Sequence, residues 1–544
     1  MTYEDGCGGG GGLRAALVLA RSPREPGPDF PAGAAVAAWP GEAVRVPAEL
    51  DAVLAGALAG GRLRPAASAG ALHPVNAHLL VGPGGELAPG RYAYDPGAHR
   101  LRARGGAPAD APQGVAAVLT VTARRTVSHY GHRAWPLLLL DTGHALAALA
   151  LAGAEAYCGD ADGALLAAAA GLPPTPGTGE PEHAVAAVWW GPGSRPVGEL
   201  LTRWAAHGPG DAPVGPGKPA PDVLVAAWEV LREVTGGGGK GSWSGFPGLP
   251  VPVAAGPVVV ATAGPVVVAA GPAPVSARTR PGRRAAPGSD GGPDGVGPAG
   301  VAEGGRGAAP SLRGVPDGVG PTGVAEGGRG AASSLRGVPA GIVQTVGVRR
   351  SAAPGLRGVP DGVEPAGIGQ AVGVRRSAAP GFRGVPDRAE LVRLVRVVEA
   401  AGPEGVRWCV AVGGPEPAVL GGPGLRPLAT GDARPTLARW AARQAWLAEA
   451  GAVLLAYGCP DGAPAAEVRR AHLGAGYAVG LAQVLACEAG LPSRPVGSWQ
   501  SADLGAALGA PPGSGPILHA LALGRRPSRP ATNPSLPPQG APPS

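Results

Sequence analysis

The sequence contains few aromatic residues, little lysine and a single methionine. Aromatic residues make up 4% of the 544 residues, and only two of the 46 basic residues, Lys218 and Lys240, are lysines. Glycine and proline are abundant instead, at 96 and 65 residues. Because this bias is typical of GC-rich coding, overall composition says little about function. The hydrophobic fraction of 45% excludes a wholly disordered chain, and the absence of a Gly-X-Y period excludes collagen.

Cysteines are few and widely spaced. There are five, and no C-x-x-C pair occurs among them. An odd number at such spacing favours a reducing compartment over a disulfide framework. The N-terminus shows no basic and apolar secretory signal, so we expect a cytoplasmic protein. The apolar stretch 246–275 is interrupted by seven prolines, which disfavours a membrane span and favours a spacer.

The positive charge is confined to one repetitive segment. The net charge of +7 equals the excess of arginine over acidic residues within 278–385, so the rest of the chain is neutral. We therefore expect no nucleic-acid partner. Pro-Asp-Gly-Val begins at Pro293 and at Pro316, and related units begin at Pro339 and Pro360. Each unit has too few apolar residues to bury a solenoid core, so a disordered linker is predicted.

Two parts of the chain, one on either side of the linker, show the same order of segments: strand, basic loop, glycine-containing helix, strand. In the first part these segments are 118–121, 130–133, 141–149 and 188–191. In the second they are 452–455, 469–470, 474–481 and 521–524. The match predicts two copies of one α+β module, forming a pseudo-dimer within one chain.

The resulting domain prediction has six parts. They are an N-terminal segment 1–59, a first module 60–200, a connecting segment 201–242, a linker 243–387, a second module 388–527 and a disordered tail 528–544. A short amphipathic helix is predicted over 222–234. A further helix is predicted over 436–457, with Thr436 as its N-cap, so that its end overlaps the strand pattern of 452–455.

The stretch 64–74 is the first candidate for chemistry. Small residues around Ser68 would let backbone N–H groups approach the ring or phosphate of a ligand, and Arg64 would add a charge-assisted hydrogen bond. The alternative is an ordinary Ala/Ser/Gly turn, which composition alone favours.

The second candidate is 129–133, a predicted loop that contains His129, Tyr130, His132 and Arg133. Histidine and tyrosine exchange protons, and arginine holds phosphate or carboxylate. A solvated loop is the alternative, and no third ligand with suitable spacing supports a metal, so none is expected. His144 at the start of an apolar helix is interpreted as a satisfied, partly buried histidine. The glycine run 236–241 lacks the hydroxyl residue of a P-loop.

Four motifs together resemble the SagB/McbC-type dehydrogenases of the FMN-dependent nitroreductase superfamily. They are 64–74 (R-P-x-x-S-A-G-A-L-H-P), 87–96 (L-A-P-G-R-Y-A-Y-D-P), 130–133 (Y-G-x-R) and 141–144 (D-x-G-H). The resemblance covers about 60–195 well and 388–527 more weakly. It implies two nitroreductase-like modules, each an antiparallel or mixed sheet flanked by helices.

The activity that this resemblance implies is azoline dehydrogenation. Such enzymes use FMN to oxidise thiazolines or oxazolines to thiazoles or oxazoles in a ribosomally made peptide, of the thiopeptide or linear azole type. The implied partners are the azoline-containing precursor peptide and a cyclodehydratase, and no membrane is involved. The protein's part is to hold the ring against the flavin and to supply a base.

The resemblance also implies site residues. Arg64, Ser68, Gly70 and Pro74 would lie against FMN, and Tyr130 matches the tyrosine of the family's Lys-Tyr pair. His129 occupies the lysine position, which departs from the family but leaves a possible base.

Further predicted cofactor contacts come from both modules. They are Arg133, Arg494, Gly497, Arg525 and Arg526. The second module lacks the Ser-Ala-Gly-Ala loop, so one complete site per chain, built between the modules, is predicted. The Arg-x-Ser-x-Arg signature usual near the superfamily's N-terminus is poorly matched by Arg21–Arg24.

Two alternatives stay open. One is a flavin-free scaffold or docking subunit of the same biosynthetic complex, favoured by the missing lysine and the degenerate second module. The other is an NAD(P)H-dependent nitroreductase acting on small quinones or nitroaromatics.

Overall fold

The computed structural model of the chain describes residues 10–27, 29–34, 37–60, 64–173, 180–191, 196, 199–213, 219–247, 377–379 and 381–525. Contacts divide the chain into one unit made of 1–256 and 362–544 and a second, Pro257–Asp361, which lies outside the described residues. The starts of the predicted repeats, most of the predicted linker and the predicted tail 528–544 lie outside the described residues as well.

The N-terminal part builds an eight-stranded sheet and seven α-helices within the described residues. The strands are β1 (Ala43–Arg45), β2 (Val75–Val81), β3 (Gly90–Asp95), β4 (Arg100–Gly106), β5 (Val115–Val121), β6 (Ala156–Cys158), β7 (His183–Trp190) and β8 (Ser244–Gly245). The helices are α1 (Gly10–Ala20), α2 (Ala48–Ala57), α3 (Ala123–Tyr130), α4 (Ala134–Leu151), α5 (Gly163–Ala169), α6 (Leu200–Ala206) and α7 (Asp222–Thr235). Since β1 and β8 join this sheet, it extends beyond 60–200 at both ends.

The C-terminal part builds a six-stranded sheet and four α-helices within the described residues. Its strands are β9 (Arg407–Val412), β10 (Ala418–Gly421), β11 (Arg426–Thr430), β12 (Ala452–Tyr457), β13 (Ser493–Val496) and β14 (Ile517–Leu523). Its helices are α8 (Arg388–Ala401), α9 (Arg434–Trp440), α10 (Ala465–Glu488) and α11 (Leu504–Ala507). Local sequence sets some helix ends: Asp387 and Glu390 form a capping box that begins α8.

The two sheets share one strand order. The first runs β1-β4-β3-β2-β5-β7-β6-β8, and the second runs β11-β10-β9-β12-β14-β13. Each strand of the second sheet thus corresponds to one of the six strands β2–β7, in the same sequence order and the same position. The strand pairs are antiparallel, as in β2 with β5 and β9 with β12. The predicted α+β class with antiparallel sheets flanked by helices is therefore confirmed.

Both faces of the inner strands of each sheet are buried, which explains why β2, β5, β12 and β14 are nearly continuously apolar. In β5, Ala117 and Leu119 enter one core, whereas Ala116 and Val118 enter a second. The first of these cores also takes in residues of β9, β12 and β14, so it lies between the two sheets. The other faces of the two sheets are covered by separate cores. Alternation of side chains across a strand produces this arrangement.

Helices α4 and α10 cross inside the shared core, and glycine allows their close approach. A Cβ atom at Gly143 would lie 2.2 Å from the carbonyl oxygen of Leu473, and one at Gly476 would lie 2.3 Å from that of Leu140. The stretch Ala123–Leu151, which includes α4, has the length and hydropathy of a membrane span, but 83% of its most apolar window is buried inside the protein. Packing against α10 and the sheets accounts for its apolar character.

Most of the predicted strands and helices are confirmed, and three segments require correction. The helix predicted over 436–457 is wrong, because its middle turns through 3-10 geometry at Ala445–Glu449 and its end is the central strand β12. The predicted loop 129–133 is the end of α3 followed by a 3-10 turn. The predicted basic loop 469–470 lies within α10, where Arg469 is buried and donates to backbone carbonyl groups.

Candidate functional site

A cavity of about 450 Å³ lies between the N-terminal and C-terminal parts of the fold. One wall consists of the loop 64–73, Tyr130 and one face of α4, from Leu137 to His144. The opposite wall consists of the segment 494–498 and His519, with Ser377 and Gln444 at its side. The volume falls in the range of small-molecule sites, roughly 300–1,000 Å³.

The loop that begins at Ser68 is tightly held. The Ser68 hydroxyl donates to Asp141 Oδ2 at 2.7 Å and accepts from the His73 N–H at 2.9 Å. Gly70, Ala71 and His73 have φ angles of 60°, 54° and 47°, which only glycine adopts without strain. Backbone strain of this kind persists only where its surroundings impose it, and here the hydrogen bonds of Ser68 do so.

Asp141 is the carboxyl group of this cavity. It is 4% exposed and accepts from the Ser68 hydroxyl and from the Ala69 N–H at 3.0 Å. Burial raises the pKa of Asp141 to about 7, and the hydrogen bonds from Ser68 and Ala69 oppose that rise. The carboxyl group therefore changes protonation near neutral pH, as functional groups in clefts often do.

Tyr130 projects from the last turn of α3 into the cavity. Burial, with a smaller contribution from the Asp141 charge, raises the pKa of Tyr130 to about 12. Its phenol is therefore protonated at neutral pH and can donate a hydrogen bond. A Cβ atom at Gly70 would lie 3.2 Å from the Tyr130 hydroxyl, so the loop and the tyrosine touch.

Two arginines bring positive charge to the cavity. Arg64 is 6% exposed and donates to the Val75 carbonyl at 3.1 Å, and its Nε has no hydrogen-bond partner among the described residues. Burial lowers the pKa of Arg64 to about 10, which leaves it protonated at neutral pH. Arg494 lies over the Trp446 ring at 5.3 Å, and no described carboxylate forms an ion pair with it. Such cations favour an anionic ligand.

Two imidazoles join the walls of the cavity. The Nε2 atoms of His144 and His519 are 2.9 Å apart, and His519 Nδ1 lies 3.1 Å from the Val496 carbonyl oxygen. Burial lowers the pKa of His519 to about 4, so its ring is neutral near pH 7. Since a carbonyl only accepts, His519 carries its proton on Nδ1, and His144 Nε2–H donates to His519 Nε2. His144 is thus buried and hydrogen-bonded, as predicted.

His129 does not line this cavity. Its side chain is 56% exposed, and its Nδ1 lies 3.4 Å from Asp29 Oδ2. Successive residues of a helix project about 100° apart, so a helix that turns Tyr130 inward carries His129 outward. The predicted pair of catalytic residues is therefore separated, and only Tyr130 reaches the cavity.

Pro74 and Arg133 also lie elsewhere. Pro74 precedes β2, and its carbonyl accepts from the Thr122 N–H at 3.0 Å. Arg133 donates to the Arg24 carbonyl oxygen and to the side-chain amide oxygen of Gln500. Its guanidinium group is therefore occupied by protein acceptors and does not face the cavity.

The C-terminal arginines lie apart from the cavity too. Arg525 donates to Asp387 at 2.5 Å and to Glu390 at 2.8 Å, so two carboxylates at the start of α8 compensate its charge. Arg526 lies outside the described residues. The predicted contacts that the structure does bring together are Arg64, Ser68, Gly70, Arg494 and Gly497.

Sequence reasoning assigned no role to several groups that line the cavity, among them Asp141, His519 and Gln444. Asp141 served only as part of a motif, and His519 and Gln444 received no role. A signal was present for Asp141, because a lone carboxylate within an otherwise apolar helix needs a buried partner. His519 gave a weaker signal, as one polar residue in an apolar strand.

Solved structures show which fold this is. A nitroreductase-like protein from Anabaena variabilis matches with a TM-score of 0.51 and 15% identity, covering 89% of this chain and 92% of that one. A nitroreductase-like protein from Desulfovibrio desulfuricans in complex with FMN matches at 20% identity over 31% of this chain and 91% of its own, with a TM-score of 0.23. The NADPH:FMN oxidoreductase from Vibrio harveyi, complexed with NAD+, matches at 16% identity over 32% and 74%, with a TM-score of 0.22.

No protein-family model matches the chain, and no curated protein matches it. The similarity to the Anabaena structure shows that the chain has a nitroreductase-like fold. It shows the fold alone, so cofactor and activity are matters of proposal.

Proposed function

We propose that the chain is an FMN-dependent oxidoreductase whose flavin occupies the cavity between Ser68, Tyr130 and Arg494. The observation that carries the proposal is the placement of five predicted flavin contacts, from distant parts of the sequence, around one cavity in a nitroreductase-like fold. The cavity offers a wall of small residues at 66–71 and two arginines that form no ion pair with a described carboxylate, which suits a flat ring with a phosphate.

The residues present fit this cofactor. Gly497 keeps the wall open, since a Cβ atom there would lie 2.8 Å from Leu137 Cδ2. Gly70 does the same beside Tyr130. Arg494 would hold the phosphate, because no described carboxylate neutralises it, and the unpartnered Nε of Arg64 adds a donor on the opposite wall.

The shared strand order supports a second part of the proposal, namely that the two modules act as a pseudo-dimer with one flavin site per chain. Six strands of the first sheet, β2–β7, have the same topology as the six strands of the second, and α4 and α10 cross at equivalent glycines. Both modules contribute to the cavity, in keeping with a site that needs two subunits.

Bound FMN would supply the redox chemistry, by accepting a hydride equivalent from a substrate. The chain's own residues would position the cofactor and the substrate and would donate or accept protons. Asp141 holds Ser68 and Ala69 and thereby fixes the loop. Tyr130 presents a protonated hydroxyl at the same wall, where it can donate a hydrogen bond or exchange a proton. His144 and His519 tie the segment 494–498 to α4.

The substrate class belongs to the same proposal. The motifs at 64–74, 87–96 and 130–133 resemble azoline dehydrogenases, so we propose thiazoline or oxazoline oxidation in a ribosomally made peptide, with a cyclodehydratase as partner, in the cytoplasm. Tyr130 is the one member of the predicted catalytic pair that lies in the cavity. The location of His129 outside it favours one competing candidate, a flavin-free docking subunit.

The first experiment is to purify the full chain, record its visible spectrum and identify any released chromophore. We expect about one FMN per chain, and Arg494→Gln should weaken FMN binding about tenfold. Arg426→Gln, an exposed arginine away from the cavity, is the matched control and should bind normally. A colourless protein that takes up no added FMN would contradict the proposal and leave the docking subunit.

Activity separates the oxidoreductase candidates. A flavin-loaded chain should remove two hydrogen atoms from an azoline-containing peptide, which mass spectrometry detects. Reduction of the bound flavin by added NAD(P)H, together with turnover of quinones and no azoline oxidation, would instead support the nitroreductase candidate.

A further inference from the structure

A second cavity of about 500 Å³ lies on the other side of the α4–α10 crossing. Its walls come from α10 between Ala466 and Tyr477, from the segment 157–160 around β6, from 242–247 around β8, and from 400–403 at the end of α8. The modules exchange roles relative to the first cavity: here α10 supplies the helix face, and the N-terminal module supplies the strand and loop.

Helix packing fixes which residues correspond in the two cavities. Gly143 meets the carbonyl oxygen of Leu473, and Gly476 meets that of Leu140, so each glycine contacts the residue three positions before the other. With Gly143 and Gly476 equivalent, Gly474 takes the place of Asp141. In the same register, Tyr477 corresponds to His144 and Arg470 corresponds to Leu137. The second cavity therefore lacks the carboxyl group of the first and gains an aromatic ring and a cation.

Three aromatic rings line the second cavity. The centroids of Tyr157 and Phe246 are 5.0 Å apart, those of Phe246 and Tyr477 are 5.8 Å apart, and all three planes lie within 26° of one another. Parallel rings offer a flat apolar surface for a further ring to stack on. Burial raises the pKa of Tyr157, so its hydroxyl stays protonated.

The charge of the cavity is positive. Arg469 is 3% exposed and donates to the carbonyl oxygens of Ala161 and Thr235, and its Nε has no partner among the described residues. Arg470 is exposed at the rim, and no described carboxylate pairs with it. Asp160 is the carboxylate in the lining, and the negative charges of Asp160 and Asp162 both favour the protonated form of Arg469. One oxygen of Asp160 already accepts from the Ser242 N–H at 2.8 Å.

We propose that this second cavity binds an aromatic carboxylate, with its ring on the surface of Tyr157, Phe246 and Tyr477 and its carboxylate facing Arg470. An apolar surface alone would take any hydrophobic molecule, but a buried arginine whose hydrogen bonds all go to carbonyl groups, together with Arg470, which no described carboxylate pairs with, favours an anion. The proposal is independent of flavin binding, because the two cavities share no lining residue.

The probe is 2-naphthoate, titrated into the full chain by calorimetry in the presence of saturating FMN. We expect one binding site, and we expect both Arg470→Gln and Phe246→Leu to weaken it about fivefold, since an exposed ion pair and a ring contact are each worth about 1 kcal/mol. Arg426→Gln is the matched control for Arg470→Gln and should leave binding unchanged.

The neutral analogue 2-naphthamide tests the charge directly. It should bind the wild-type chain about fivefold more weakly than 2-naphthoate, and Arg470→Gln should abolish that preference. Absence of 2-naphthoate binding, equal affinity of carboxylate and amide, or displacement of 2-naphthoate by FMN would each overturn the proposal. A chain that binds no FMN but retains carboxylate-selective binding would contradict the proposed function and support this site.

Discussion

At the scale of single residues, Asp141 links the fold to the candidate site, since one buried carboxyl group holds the strained loop and faces the cavity. Because folding raises its pKa from 3.8 to about 7, the folded chain binds more protons than the unfolded chain between these values. Asp141 therefore lowers the free energy of unfolding as pH rises through this window, by roughly 4 kcal/mol at most. Asp141→Asn should remove this pH-dependent fall in the free energy of unfolding. Urea unfolding of the variant and of the wild-type chain at pH 5 and at pH 8 measures the difference.

The same substitution should affect the site. Asparagine replaces one of the two acceptor oxygens with an NH2 donor, so Ser68 and Ala69 no longer each have an acceptor oxygen at their present distances. The loop is then held more weakly, and FMN affinity should fall about tenfold. A variant with unchanged stability profile and unchanged flavin affinity would show that Asp141 is neither buried nor coupled to the loop as described.

His472 makes the opposite contribution to pH dependence. Burial lowers its pKa from 6.5 to about 3, and its Nδ1 lies 2.8 Å from the Val468 carbonyl oxygen. The unfolded chain then binds more protons than the folded chain between these values, so stability is lost as pH falls from about 6.5. Between pH 7 and pH 4.5 the free energy of unfolding should fall by about 3 kcal/mol less in His472→Gln than in the wild-type chain, as measured by urea unfolding. Equal slopes in variant and wild type would contradict this expectation.

Sequence reasoning identified part of the site at this scale and not the rest. Small residues at 68–71 and the hydroxyl of Tyr130 carried local signals, and they line the cavity. His129 was predicted as a catalytic residue because 129–133 was interpreted as a loop, in which neighbouring side chains can point the same way. In the helix that forms instead, His129 and Tyr130 project about 100° apart, so His129 points away from the cavity. Asp141 and His519 meet partners distant in sequence, so their roles depend on packing that no local pattern contains.

At the scale of elements, the crossing of α4 and α10 rests on two glycines. A methyl group at Gly143 would overlap the Leu473 carbonyl oxygen at 2.2 Å, and a backbone atom in a packed helix cannot move aside as a side chain does. We expect Gly143→Ala to lower the free energy of unfolding by about 3 kcal/mol, despite alanine's better helix propensity. Chemical denaturation measures the change.

Gly462→Ala is the matched control for this prediction, since nothing lies within 4 Å of the added carbon. It should change stability by less than about 0.5 kcal/mol. A similar effect of the two substitutions would mean that the helices do not approach as closely as the structure shows.

The segment 436–457 shows where element prediction breaks down. Thr436 to Tyr457 has helix-compatible composition, yet the chain ends α9 at Trp440, and 452–457 pairs with β9 and β14. All six residues of β12 are buried, with alternate side chains entering two different cores. The burial of this strand between two neighbouring strands outweighs its weak local preference for helix. Only parts of α4 and α10, namely 141–149 and 474–481, were predicted as helix, because the apolar pattern is long there. The earlier turn of α10 at 469–470 was predicted as a loop.

At the scale of the whole molecule, the repeated strand order was detectable from sequence because both parts keep the same succession of segments. The shared core was not, because it joins residues hundreds of positions apart: Leu119 and Leu146 enter the same cluster as Val410 and Leu454. The contact unit itself is made of two separate stretches of chain, 1–256 and 362–544. Each stretch leaves an apolar face that only the other covers.

The shared core predicts what happens when the chain is split into two fragments. Fragments 1–256 and 362–544, expressed separately, should aggregate, because the apolar faces of α4 and α10 would be exposed to water. Expressed together, they should copurify as a one-to-one complex that unfolds in a single transition, measured by size-exclusion chromatography and calorimetry. If one fragment carries Gly143→Ala, copurification should fall, whereas Gly462→Ala should leave it intact. Two fragments that each fold alone and do not associate would show that the modules do not depend on the shared core.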